Sequence, residues 1–300
     1  VNTSTVDGSE SSSKSTEAAI MLSYANLVYF VNNYVSLTAG LFLSPFGIYS
    51  ERMHPEWINK LPDSPLGLGH SEQLFPEKEL GIQLRGGLPI RKMRMNYSLY
   101  ISNGPSLITT GIDAGKLSYE DLTDNNNNKA IGGRLGILPL SNSSLETGFS
   151  IQRAKVGTTN TPYSRVDALL WAADVSYKNS FSFIKGTLDI KGQYSSRKLD
   201  KVYYYAEPEL TLHVPAVDVN LNDSTYRFNN TSSAYFIMVA YRPVMSEKFL
   251  KNIEFIFRYD EVKTPCYALW NSDKSRWSAG LTYWLESRSA LKLAFTSSES

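Results

Sequence analysis

From Ala18 onward, apolar and polar residues alternate one by one in a series of segments. Tyr34 to Ser44 sets Val35, Leu37, Ala39, Leu41 and Leu43 against Tyr34, Ser36, Thr38, Gly40, Phe42 and Ser44. Glu79 to Leu88 alternates Leu80, Ile82 and Leu84 with Gly81, Gln83 and Arg85. Arg94 to Ser102 alternates Met95, Tyr97, Leu99 and Ile101 with Arg94, Asn96, Ser98 and Tyr100, and Ala130 to Leu138 repeats the pattern. A period of two is the signature of a strand with one apolar and one polar face. The same pattern predicts strands at 145–156, 166–177, 181–197, 233–242, 253–262, 276–285 and 290–297, and a less regular one at 18–31. That makes twelve strands in all.

Most of these segments exceed the ~5–6 residues of an ordinary globular strand. They match the ~9–11 residues a tilted strand needs to cross a bilayer. The connections alternate in length. Short ones fall at 32–33, 89–93, 139–144, 178–180, 243–252 and 286–289; long ones fall at 47–78, 104–128, 157–165, 199–232 and 263–275. Short turns at one end and long loops at the other are the plan of an up-and-down outer-membrane barrel. The expected fold is therefore all-β, a transmembrane antiparallel up-and-down β-barrel over residues 18–300. Tyr97, Tyr177, Tyr235, Tyr241, Tyr259, Trp277 and Tyr283 fall on apolar faces near strand ends, where interfacial aromatic girdles are expected.

Composition removes competing classes. The chain has 300 residues, 30 basic and 29 acidic side chains, so no global field draws it to nucleic acid. Its one cysteine, Cys266, excludes an internal disulfide framework and a multi-cysteine metal site. No run approaches the ~20 apolar residues of a membrane helix. Val1 to Glu17 lacks the basic start and apolar stretch of a signal peptide and reads as a disordered polar segment. The near-zero net charge and the mean hydropathy of −0.26 follow from the alternation, because the two faces cancel in every window, and the 12 % aromatic content is that expected of two interfacial girdles.

Leu37 to Asp63, LTAGLFLSPFGIYSERMHPEWINKLPD, resembles the strand-then-loop stretch of the phosphate-selective porin family (the porin O and P group). LGIQLRGGLPI at 80–90, NYSLYISNGP at 96–105 and IKGTLDIKGQY at 184–194 are similar to further parts of it, as are 241–260 and 273–295. The resemblance implies a Gram-negative outer-membrane porin, in contact with the lipid bilayer and lipopolysaccharide. It implies about sixteen strands, a homotrimer, and passive diffusion of small hydrophilic solutes or anions. The chain departs from the family in showing twelve strands and in ending on LAFTSSES without a terminal aromatic. It is therefore expected to be incomplete at one or both ends, a closed twelve-stranded barrel being the alternative.

Candidate chemistry lies on the polar face. Arg85, Arg94, Arg134, Lys185, Lys191, Arg258 and Lys292 stand there at mid-strand beside Glu146, Asp174, Asp189, Glu254 and Asp260. As pore-lining charges they imply a weak anion preference; as cross-strand pairs they would only line a wet wall. The basic ladder of a dedicated phosphate channel is not visible, so phosphate specificity is not carried over. The loop 47–78 carries Arg52, His54, Glu56, Trp57 and Lys60 and is a candidate constriction, with packing across the outer mouth as its alternative. His54, Glu56, His70 and Glu72 lack metal-ligand spacing. Asp121, Asp124 and Asn125–Asn128 read as a solvated loop rather than a Ca²⁺ site. Three histidines in loops offer no nucleophilic triad, and no cofactor is expected. A plugged or structural barrel serving a larger membrane assembly is the alternative function.

Overall fold

The computed structural model describes residues 24–53, 58–69, 72–119, 124, 126–205, 219–220, 225–244, 252–286 and 289–299. In chain order the elements are β1 (Ala25–Asn32), β2 (Val35–Leu43), α1 (Tyr49–Arg52), β3 (Lys78–Ile90), β4 (Met93–Ser102), β5 (Ser106–Leu107) and β6 (Leu117–Ser118). Then follow β7 (Ala130–Leu138), β8 (Leu145–Lys155), β9 (Asp167–Phe181), β10 (Gly186–Leu199), β11 (Tyr203–Tyr205), β12 (Val219–Asn220) and β13 (Thr225–Arg227). The last are β14 (Thr231–Pro243), β15 (Ile253–Lys263), β16 (Lys274–Glu286) and β17 (Ser289–Glu299).

Twelve of these strands form one antiparallel sheet in the order β1-β2-β3-β4-β7-β8-β9-β10-β14-β15-β16-β17. Apart from the short strands inside loops, this is the order of the chain, as the alternating pattern requires. The other strands pair within long connections: β5 with β6, and β11, β13 and β12 as a small three-stranded sheet. No pairing joins β1 to β17 among the described residues. Among the described residues no helix is long and apolar enough to cross a membrane.

Three local expectations change. The hairpin after β9 turns at Ser182–Lys185, not at 178–180, because Asn179 and Ser180 are paired with Leu188 and Thr187. Lys185 consequently lies in that turn with φ +46°, exposed, and not at mid-strand. Arg94 sits one residue into β4, at the hairpin end, also exposed. The loop 47–78 holds α1 near its start.

Burial is inverted relative to a water-soluble sheet. Leu99, Ile131, Phe149, Ile237, Phe255, Leu293 and Phe295 are exposed, while Gln83, Ser98, Gln152, Asp174, Gln193, Arg258, Asp260 and Ser278 are buried. Along β15 the alternation reads Glu254 in, Phe255 out, Ile256 in, Phe257 out, Arg258 in. The aromatics form two levels on the outward face. Tyr235, Tyr259 and Trp277 stack near the long loops, and Tyr177, Phe181 and Phe183 cluster at the turn end.

Candidate functional site

The polar face is covered by the segment between β2 and β3. Its Phe46, Ile48, Tyr49, Met53, Leu61, Leu68, Leu74 and Phe75 are all buried in one apolar cluster. The wall beneath supplies Ala168, Leu170 and Ala172 from β9, and Ala234, Phe236, Met238 and Ala240 from β14. Tyr204, Tyr226, Phe228 and Trp270, from the connections after β10 and β15, close it above. Burying a Leu- or Phe-sized side chain contributes ~1.5–3 kcal/mol, so this is a packed seat for the segment.

Polar contacts fix its position. Gln193 Oε1 on β10 accepts from the backbone N–H groups of Ile48 (2.8 Å) and Tyr49 (3.0 Å), the unpaired donors that open α1. The Gly47 N–H donates to Ser150 Oγ on β8. Gly47 has φ +65°, and a Cβ there would run into the Gln193 amide, so glycine is required for that close approach. Arg52 pairs with Glu146 on β8, and Glu51 accepts from Arg85 on β3 at 3.0 Å.

Further along, Lys60 is drawn into the wall. It pairs with Asp189 (2.8 Å) and with Glu254, while Lys191 takes the other side of Asp189. The Lys60 carbonyl accepts from Thr282 Oγ1, and the Asn59 carbonyl accepts from Lys292 Nζ at 2.6 Å. Asp63 pairs with both Arg258 and Arg276, which converge on Asp260 at 2.8 and 2.7 Å; Asp260 also accepts from the Leu66 N–H. Polar groups of β3, β8, β10, β15, β16 and β17 thus reach this segment.

The charges expected on the polar face therefore fall into two groups. Arg134 is paired with Glu146 and Asp174, the second negative charge being met by Arg52 on Glu146, and the sets Lys60–Asp189–Lys191–Glu254 and Asp63–Arg258–Asp260–Arg276 are internally neutralised. The Arg134 and Arg258 side chains are only 4 % and 0 % exposed. Arg52 and Arg85 are different, with side chains 38 % and 48 % exposed. They line a cavity of about 460 Å³ between α1 and strands β1–β3, with Glu51, Gln83, Thr38 and Asn26. A second space of about 630 Å³ flanks the segment at the β16–β17 side. His54, Glu56 and Trp57 lie outside the described residues, as do His70, His213, Asp121 and Asn125. Glu72 pairs with Lys274, and Asp124 with Lys129, which holds the Asp124 carboxyl below its ordinary range. Among the described residues no three His, Cys, Asp or Glu side chains are grouped to hold a metal, and Cys266 is exposed.

Sequence reasoning missed Gln193, Arg276 and Arg197, and placed Asp63 in the candidate constriction loop without a partner. Arg197 is fully buried, donates to the Leu74 carbonyl (3.4 Å) and Ser232 Oγ (3.2 Å), and lies over the Trp270 ring. The Tyr119 hydroxyl donates to the same Leu74 carbonyl at 2.8 Å, and the Tyr49 hydroxyl donates to Ser64 Oγ at 2.6 Å. Burial pushes both phenols up to about 12.

This arrangement sets an alkaline limit on the seat. A phenol whose pKa is raised by folding stabilises the folded form below the ordinary value of about 10. That stabilisation is lost as pH climbs through the folded value. The segment is expected to stay seated to about pH 10 and to loosen between about 10 and 12. A phenolate absorbance titration, run beside proteolysis of the segment, checks this; ionisation of all tyrosines near 10 without cooperative release contradicts it.

No family model matches the chain, and no curated protein matches it.

Proposed function

We propose that the chain forms the wall and constriction of a β-barrel channel in the outer membrane of a Gram-negative bacterium. Small hydrophilic solutes diffuse through it without catalysis. The observation that carries this reading is the inverted burial of the sheet: apolar residues outward on every long strand, polar residues inward against a docked segment. Exposing such a band to water would be costly, whereas facing acyl chains it is the ordinary surface of a barrel. Apart from its two edges, the sheet pairs its backbone groups strand to strand, as a bilayer demands. The long strands, the alternating connections and the two levels of outward aromatics support the same reading. Its partners are the bilayer with its lipopolysaccharide leaflet and, following the family resemblance, two further copies in a trimer.

In this channel the segment after β2 narrows the lumen, and solute passes beside it along the flank lined by Arg52 and Arg85. The buried cluster under the segment and the neutralised charge sets favour a second reading, a barrel plugged at rest. Planar-bilayer recording of the purified protein separates the two. Steps of conductance in the native protein support the open channel. Steps seen only after the segment is unseated support the plugged barrel. Silence from both native and unseated protein overturns the channel reading altogether.

A further inference from the structure

On its inner face β2 carries three small residues in succession. Ser36, Thr38 and Gly40 follow one another there, and Phe42 closes the row. From Ser36 to Gly40 the strand advances about 13 Å. These residues floor an elongated groove, the cavity of about 460 Å³ beside α1.

The two walls of the groove differ in kind. In the β1–β2 ladder Val28 stands opposite Thr38 and Phe30 opposite Ser36, so both share the inner face. Phe30 is 76 % exposed, and Tyr24 and Val28 are exposed along the same wall. Elsewhere on the inner face Phe42, Leu170, Phe236 and Met238 are buried. Leu27 and Tyr29 make the outer face of β1 apolar as well, and bilayer contact accounts for that outer set only. The opposite wall is polar and charge-balanced. Arg85 on β3 lies in the same cross-strand row as Phe30, with Ser36 between them. It donates one nitrogen to Glu51 at 3.0 Å, and Arg52 pairs one with Glu146. The remaining nitrogens of both forks make no hydrogen bond among the described residues.

Because each guanidinium already faces a carboxylate, this wall holds no ion tightly. It still offers donors from two arginines and an acceptor from Glu51. Two strand spacings, about 10 Å, separate Phe30 from Arg85, and contact with a phenyl face takes ~4 Å of that. The gap admits one saturated ring with hydroxyls on its rim. An acyl chain would leave the polar wall unmatched, and a small anion would leave the apolar wall unmatched. A pyranose matches both, with C–H groups on its face and hydroxyls that donate and accept at its edge.

We propose that this groove is a track for neutral saccharides. The sugar lays a C–H face on Phe30, and its hydroxyls meet the Arg85–Glu51 pair and Arg52. The next ring of an oligosaccharide lies over Val28, toward Tyr24. The proposal deepens the channel reading and rests on this flank facing water, not on conduction.

Saturation-transfer NMR of maltotriose on the protein purified in a sugar-free detergent tests it, with benzoate as the apolar anionic probe. Saturable transfer to maltotriose C–H protons is expected, with little to benzoate. Phe30→Ala is expected to weaken maltotriose binding about fivefold or more, and Phe30→Tyr to keep it. Arg85→Met, which keeps an apolar stem and removes the donors, is expected to weaken it about tenfold. Phe149→Ala removes an aromatic of the outward face and is expected to leave binding unchanged. Unaltered circular dichroism in the variants keeps a folding defect from imitating either loss. Absence of saturable binding, or binding that survives Phe30→Ala with Arg85→Met, overturns the track. So does a preference for benzoate, since an amphipathic anion would then be the occupant. Maltotriose binding to a protein that never conducts would remove the channel reading and leave the saccharide groove standing. Conductance without maltotriose binding would do the reverse.

Discussion

Replacing Arg258 with leucine is expected to free the segment between β2 and β3 while the sheet persists. Arg258 is fully buried, and its fork serves four acceptors: Asp260, the Asp63 carboxylate, and the Asp63 and Ser64 carbonyls. Three of the four acceptors, on Asp63 and Ser64, belong to the docked segment. Removing one side of a buried ion pair costs about 3–5 kcal/mol because the partner is left uncompensated. Here Asp260, the Asp63 carboxylate and the Ser64 carbonyl all keep Arg276, so the change leaves one guanidinium where two clamped the segment, and a net negative charge in the set. The sheet retains every ladder bond. Limited proteolysis should cut within 47–77 in the variant and spare it in the native protein, and single-channel conductance should rise. Arg258→Lys keeps the charge without the fork and is expected to fall between the two. Proteolysis and conductance equal to native in the leucine variant would mean that the apolar seat alone holds the segment.

The second large effect is on ion choice. Arg52 and Arg85 are the charges that remain exposed on the proposed path, with Glu51 between them. A unit charge ~8 Å from a permeating ion is worth about 0.5 kcal/mol in water. Arg52→Glu with Arg85→Glu changes four units, so the anion-to-cation permeability ratio should fall by about tenfold or more after screening. Arg52→Gln with Arg85→Gln should move it about half as far on the same energy scale, without placing new carboxylates beside Glu146 and Glu51. Reversal potentials in a salt gradient measure both. Neutralising the sealed pair Arg134 and Asp174 together should leave the ratio where it was. If that change shifts selectivity and the Arg52/Arg85 change does not, the path runs elsewhere.

How much of this could be read from the residues depends on which face is considered. The outward face was largely legible: Leu99, Ile131, Phe149 and Leu293 follow strict period two, and twelve long strands appear in the expected order, the first from Ala25, since 18–23 lie outside the described residues. The turn after β9 was misplaced because Asn179 and Ser180 are turn formers in type yet remain in register with β10. The inward face was only half legible. Its charges stood out, but pairing depends on which strands a loop side chain reaches, and Lys60 finds Asp189 and Glu254 far away in sequence. A usable signal was present in the stretches ALLWAA at 168–173 and AYFIMVA at 234–240, where both faces are apolar. A wall bathed only in water has no use for Leu170 or Phe236 on its inner side. Their presence marks the seat of the docked segment. Gln193 carried no such mark, since a lone glutamine on a polar face looks the same whether it meets water or a helix terminus.

The seating contacts also order events in time. Lys60 meets Glu254 across 194 residues, Thr282 meets the Lys60 carbonyl across 222, and Lys292 meets the Asn59 carbonyl across 233. Adjacent hairpins close over short separations and form early, whereas contacts this distant wait on the chain between them. The segment leaves the ribosome about 190–230 residues before these partners do. It must therefore remain undocked, with Phe46, Leu61 and Phe75 uncovered, until β15 to β17 have joined the sheet. During that interval the nascent protein is vulnerable to self-association, and keeping these three side chains from meeting another copy becomes a task for whatever escorts it.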